Sequence, residues 1–144
     1  MNKPRVDHVG VIVEDLDAAI DMFERLLGLA PSGRRELADV GLRIAEFEAE
    51  NVAIELIQYT GRGDGFAAGV MGRRAGVNHV SFRVEDVEAA VKELEAGGVK
   101  VMAGFPRRGA HGPVAFFEPD TAQGLLFEVC ERGRGPTCDD LDRS

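Results

Sequence analysis

The 144-residue sequence predicts an α+β fold made of two repeated βαβββ modules, and three observations support this. The segment from Asp7 to Glu24 recurs as Asn78 to Glu95. In each copy a β-rich stretch runs directly into apolar residues at helical spacing. After each helix come strand candidates spaced too closely to admit further helices. The expected result is a mixed sheet with its helices on one outer face.

The elements follow in order. A first strand is expected over 6–13 and a helix over 16–28, with Leu16, Ile20, Phe23 and Leu27 on its apolar side. Asp15 occupies the N-cap position and Gly28 the C-terminal stop. Strands over 42–48 and 52–59 complete a first module of about 5–60, and the Gly- and Arg-rich segment 60–76 reads as a linker. The second module, about 76–131, repeats the plan. It has a strand over 78–84, a helix over 87–96 bounded by Asp86 and Gly97-Gly98, and strands over 99–103, 113–118 and 124–130. His8-Val9, Val13-Glu14-Asp15 and Ala18-Ala19 are answered by His79-Val80, Val84-Glu85-Asp86 and Ala89-Ala90 at a constant offset of 71 residues. Ile54-Glu55-Leu56 is answered by Phe127-Glu128-Val129 at an offset of 73. The two modules are expected to form a single domain over 1–131, followed by a polar tail over 132–144.

Composition removes several function classes. With 17 Lys and Arg against 25 Asp and Glu the net charge is −8, a field that repels nucleic acid. The apolar runs are too short to span a membrane, and 44% hydrophobic with 29% charged residues is ordinary for a soluble globular protein. Cys130 and Cys138 match no zinc or redox spacing, and Met-Asn-Lys-Pro-Arg leads into a strand without a secretory apolar region, so a cytoplasmic protein is expected.

Strand alternation then sorts residues onto faces. Val9, Val11 and Val13, Val80, Phe82 and Val84, Ile54 and Leu56, and Leu125, Phe127 and Val129 form the apolar side that the helices must cover. The opposite side carries His8, Gly10 and Ile12, then His79, Ser81 and Arg83, then Ala53, Glu55 and Ile57, then Leu126, Glu128 and Cys130. Taken singly, a strand His or Glu is most often a hydrogen-bonded or solvated residue. As a set they stand out, because two of only three histidines occupy repeat-equivalent positions on the same face as two repeat-equivalent glutamates. Two imidazole nitrogens and two carboxylates suit a divalent metal such as Co, Mn, Ni or Zn and leave positions open for a chelating substrate. The sheet is therefore expected to curve around a metal site.

The same residues carry a resemblance. Val6-Asp7-His8-Val9-Gly10-Val11, Asn78-His79-Val80-Ser81-Phe82-Arg83-Val84, the loop Gly109-Ala110-His111-Gly112 and Gly124-Leu125-Leu126-Phe127-Glu128-Val129 resemble the vicinal oxygen chelate superfamily, the glyoxalase and bleomycin-resistance group, from about residue 5 to 131. The likeness is greatest to its methylmalonyl-CoA epimerases, and the GAHG loop points to these rather than to glyoxalase I. It implies that His8, Glu55, His79 and Glu128 bind the metal. Where that family carries a Pro-Glu-Gln-Gly-like segment, this chain reads Ala38-Asp39-Val40-Gly41.

The resemblance implies interconversion of (2R)- and (2S)-methylmalonyl-CoA by proton transfer through a metal-stabilised enolate. Epimerisation needs an acid/base group on each side of the α-carbon. Glu128 is assigned one of these roles; Asp39, Glu46 and Glu48 are candidates for the other, with Asp39 ranked first by its match to the family segment. Arg83, His111 and Gly112 are the substrate-binding candidates. Arg34-Arg35, Arg73-Arg74 and Arg107-Arg108, expected in loops, offer local positive charge to an anionic acyl-CoA thioester. A homodimer is expected from the resemblance alone. Two rival readings keep the fold: a glyoxalase-I-like lactoylglutathione lyase using the same four ligands, and a non-catalytic small-molecule-binding protein, which needs none. An extradiol dioxygenase would use two His and one carboxylate, and the fourth ligand argues against it.

Overall fold

The structure, a computed structural model, describes residues 2–132; Cys138 and the rest of the expected tail lie outside the described residues. Compactness divides the chain into two units, one of His8–His79 and one in which the residues up to Asp7 join those from Val80 onward.

The His8–His79 unit takes in β1 (Arg5–Ile12) from His8 onward, then α1 (Leu16–Leu27), β2 (Gly33–Leu37), β3 (Leu42–Glu48) and β4 (Ala53–Tyr59). The strands lie in the order β2-β3-β4-β1, antiparallel except for the β4–β1 pair. Helix α1 begins where the Asp15 carboxylate accepts from the Ala18 amide at 3.0 Å and ends at Gly28 with φ +66°. Leu16, Ile20 and Phe23 pack on Ala45, Phe47, Ile54 and Leu56, the side that strand alternation assigns to the helices. Leu27, also expected there, is 60% exposed in the last turn.

Two elements of this unit depart from expectation. The charged stretch GRREL forms the edge strand β2, and the expected linker contains α2 (Phe66–Met71). Ala67 and Met71 of α2 pack with Leu42, Ile44 and Ile57, so part of the face opposite α1 is covered by a helix.

The other unit contains the end of β5 (Gly76–Arg83), then α3 (Val87–Ala96), β6 (Arg107–Arg108), β7 (Pro113–Phe116) and β8 (Phe127–Cys130). Strand β5 pairs parallel with β8, and β8 pairs antiparallel with β7, which forms a hairpin with β6. Asp86 caps α3 through the Ala89 amide at 3.1 Å. Val87, Ala90 and Val91 bury against Ala115, Phe117 and Val129. The strand expected over 99–103 shrinks to a single bridge, Val101 to Phe117. Both halves thus follow the βαβββ order, and the parallel and antiparallel pairs together make the sheet mixed. Among the described residues no helix is long and apolar enough to cross a membrane.

Candidate metal centre

Strand register builds the centre. In the parallel β1–β4 pair His8 lies opposite Ala53, Gly10 opposite Glu55 and Ile12 opposite Ile57, so His8, Gly10 and Glu55 share one face. Leu56 points the other way into the α1 core, while Ile57 packs under α2. The His8 Nε2 and Glu55 Oε2 atoms are 3.5 Å apart. The His8 and His79 rings meet edge to face with centroids 5.7 Å apart. His8, Glu55 and His79 are 6%, 8% and 3% exposed.

Gly10 makes room for this arrangement. A Cβ at position 10 would lie 2.2 Å from Cε1 and 2.5 Å from Nε2 of His79, so the His79 ring occupies the volume that any side chain would fill. This position needs glycine for close approach rather than for turn geometry.

Asn78 orients the second imidazole. Its amide nitrogen donates to the Met71 carbonyl at 2.8 Å, which identifies its oxygen as the acceptor facing His79 Nδ1, also at 2.8 Å. Nδ1 of His79 therefore donates, leaving the Nε2 lone pair for a ligand. Burial first, and the neighbouring His8 second, push the His79 imidazole down to about 3, so it is neutral at physiological pH. A neutral, oriented imidazole beside a second imidazole and a carboxylate is a donor set that fits a divalent first-row metal.

The remaining sequence candidates lie on several elements. Glu128 is buried on β8 with Ser81 and Phe116 as its register partners. Arg83 is engaged with Asp7: its Nε donates to Oδ1 at 2.9 Å and a terminal nitrogen lies 2.8 Å from the same oxygen. His111 and Gly112 sit at the tip of the β6–β7 hairpin, where the Gly109 amide donates to the Gly112 carbonyl at 2.7 Å.

Asp39 lies exposed in the β2–β3 turn, beyond the Leu42–Tyr59 pair, and Tyr59 is four residues along β4 from Glu55, about 13 Å in an extended strand. Glu46, by contrast, lies directly opposite Glu55 on β3. Of the arginine pairs expected in loops, Arg34-Arg35 and Arg107-Arg108 are in strands; Arg73 follows α2 and lies 5.5 Å over the Tyr59 ring. Burial pushes the Cys130 thiol up, so it stays protonated and unreactive.

Sequence reasoning missed Gly10 and Asn78 as supports of the site. A signal was available: Asp7 and Asn78 immediately precede the two histidines at repeat-equivalent positions, and Gly10 is the one residue without a side chain on the ligand face of its strand.

Comparison with known proteins gives a concordant set of matches. A profile described as the Glyoxalase/Bleomycin resistance protein/Dioxygenase superfamily matches residues 7–117. The ethylmalonyl-CoA/methylmalonyl-CoA epimerase of Cereibacter sphaeroides is 34% identical over 128 residues, covering 87% of this chain and 96% of that protein. The crystal structure of methylmalonyl-CoA epimerase from Mycobacterium tuberculosis superposes with a TM-score of 0.79 at 28% identity, covering 92% of this chain and 91% of that one. A methylmalonyl-CoA epimerase in complex with methylmalonyl-CoA and NH4+ superposes with a TM-score of 0.76 at 25% identity, covering 91% and 96%.

Proposed function

The chain belongs to the Glyoxalase/Bleomycin resistance protein/Dioxygenase superfamily and is an isomerase, and from that premise we propose that it interconverts (2R)- and (2S)-methylmalonyl-CoA at a divalent-metal centre. The observation that carries the metal part is the buried group of His8, Glu55 and His79 around the space left by Gly10. Glu128 is the fourth ligand of the proposal, supported by its burial and its repeat equivalence to Glu55. A bound divalent ion would supply Lewis-acid stabilisation of the negative charge that grows on the thioester oxygen as the α-proton leaves.

The chain's own residues do the rest. His79 stays neutral and fixed through Asn78, so it binds as a lone-pair donor and takes no part in proton transfer. Inversion by two bases needs an acid/base group on each side of the α-carbon. Glu128 takes one side. The other is assigned to Glu46, which faces Glu55 across the β3–β4 pair, with Asp39 of the β2–β3 turn as the alternative. His111 and Gly112, at a hairpin tip closed by the Gly109–Gly112 hydrogen bond, are assigned to contact with the thioester substrate. The working form is assigned as a cytoplasmic homodimer.

The test is a stereospecific coupled assay on protein stripped of metal and reloaded with Co, Mn, Ni or Zn. Metal-dependent conversion of (2S)- to (2R)-methylmalonyl-CoA is the expected result. Isomerisation of a glutathione hemithioacetal, with no conversion of the CoA ester, would replace this reading with the lyase.

A further inference from the structure

The residue immediately before His8 is a buried anion held by two cations. The Asp7 side chain is 1% exposed. Arg83 approaches Oδ1 through Nε at 2.9 Å and through a terminal nitrogen at 2.8 Å. Arg132 donates from Nε to Oδ1 at 2.9 Å and from Nη2 to Oδ2 at 3.0 Å, a two-pronged grip on both oxygens. A buried carboxylate held this way has its position fixed by geometry as well as by charge, and removing one partner leaves charge uncompensated.

Each member lies on chain that carries a different proposed ligand. Asp7 is joined by a peptide bond to His8. Arg83 ends β5, four residues after His79. Arg132 follows β8, four residues after Glu128, and along the β5–β8 register Arg83 pairs with Cys130 as Ser81 pairs with Glu128. The repeat supplies a parallel. Asn78, equivalent to Asp7, immediately precedes His79 and fixes that imidazole by hydrogen bonding.

We propose that Asp7, Arg83 and Arg132 form a positioning clamp that sets His8 and the strands of His79 and Glu128 for metal binding. The clamp rests on the metal-centre reading, and it makes Arg83 a positioning residue rather than a substrate anchor. None of the three is a catalytic residue in the sense of touching the reacting atoms.

The experiment is a cobalt(II) titration of the metal-stripped full chain, followed by d–d absorption. It compares the wild type with Asp7→Asn, Arg132→Gln and Arg132→Lys, and with Arg43→Gln, whose partner Asp17 is a surface carboxylate in the first turn of α1. The clamp predicts that cobalt(II) affinity falls about 10- to 100-fold in Asp7→Asn and Arg132→Gln, with a changed d–d spectrum. Arg132→Lys, which keeps the charge, should recover part of the loss, and Arg43→Gln should bind as the wild type does. Circular dichroism checks that each variant is folded; if Asp7→Asn is not, the two Arg132 variants carry the test. Wild-type affinity and spectrum in folded Arg132→Gln would overturn the clamp. If the wild type itself binds no cobalt(II), the metal reading fails and hydrogen exchange at the His8 amide of the metal-free proteins decides. Exchange about ten-fold faster in the clamp variants supports the ordering role, and unchanged exchange overturns it.

Discussion

Replacing Gly10 with Ala isolates the packing that places His79. Gly10 lies in regular strand and has no positive φ, so the backbone accepts alanine without strain. The added methyl carbon would meet three atoms of the His79 ring at 2.2, 2.5 and 2.7 Å, against an ordinary contact near 3.4 Å. The ring must therefore retreat by about 1 Å, and retreat stretches the 2.8 Å bond from Nδ1 to Asn78. Overpacking a close-packed site costs about 1–3 kcal/mol and weakening that hydrogen bond about 1 kcal/mol. A ligand displaced by about 1 Å from productive geometry lowers activity roughly 100-fold. Gly33→Ala on β2 is the matched control, because its added carbon meets nothing within 4 Å and its φ is not positive. The assays are urea unfolding, cobalt(II) titration and turnover of the reloaded enzyme. Gly10→Ala should lose stability, metal affinity and activity together while Gly33→Ala loses none of them. Wild-type cobalt(II) binding in Gly10→Ala would refute the packing of His79 described above.

Three further predictions follow from single contacts. Glu46→Gln should lower inversion roughly 100-fold or more while α-proton exchange from one epimer persists, as read by NMR in heavy water; equal loss of exchange from both epimers would remove Glu46 as the one-sided base. His79 has a folded pKa of about 3 against 6.5 unfolded, so its contribution to metal-free stability is complete above about pH 6.5 and is lost as pH falls toward 3. Urea melts between pH 6 and 4 should show about 1.4 kcal/mol less loss per pH unit in His79→Asn than in the wild type, and parallel curves would contradict the shift. Asp15→Ala and Asp86→Ala should each cost about 1 kcal/mol through loss of an N-cap, and no change in the unfolding midpoint of either would count against the capping bonds.

Much of this was legible because duplication repeats its signals. Two Asp N-caps, two helices with apolar faces and two strand histidines appear at one offset, so each copy corroborates the other. The face assignments followed from period-2 alternation, as the opposed packing of Leu56 and Ile57 shows. What escaped notice lacked period or length. Helix α2 has six residues, FAAGVM, bracketed by glycines, too few to display an amphipathic repeat. Strand β2 is a charged edge strand whose sequence reads as a loop, and β6 is two residues long. The family segment points to Asp39, whereas only the β3–β4 register shows that Glu46 faces Glu55. The ion pairs of Asp7 have no local signal, because Arg83 and Arg132, its partners, are 76 and 125 positions away.

The central claim is that proton transfer at the α-carbon requires the buried His8–Glu55–His79 group to hold a metal together with Glu128. The most direct measurement is α-deuterium incorporation into (2R)-methylmalonyl-CoA in heavy water, by metal-stripped and cobalt(II)-reloaded protein, with inversion scored in the same samples. The account predicts no exchange by stripped protein, exchange with inversion after reloading, and loss of both in His79→Ala and Glu128→Gln. Equal exchange by stripped and reloaded protein, or full activity in His79→Ala, would contradict it.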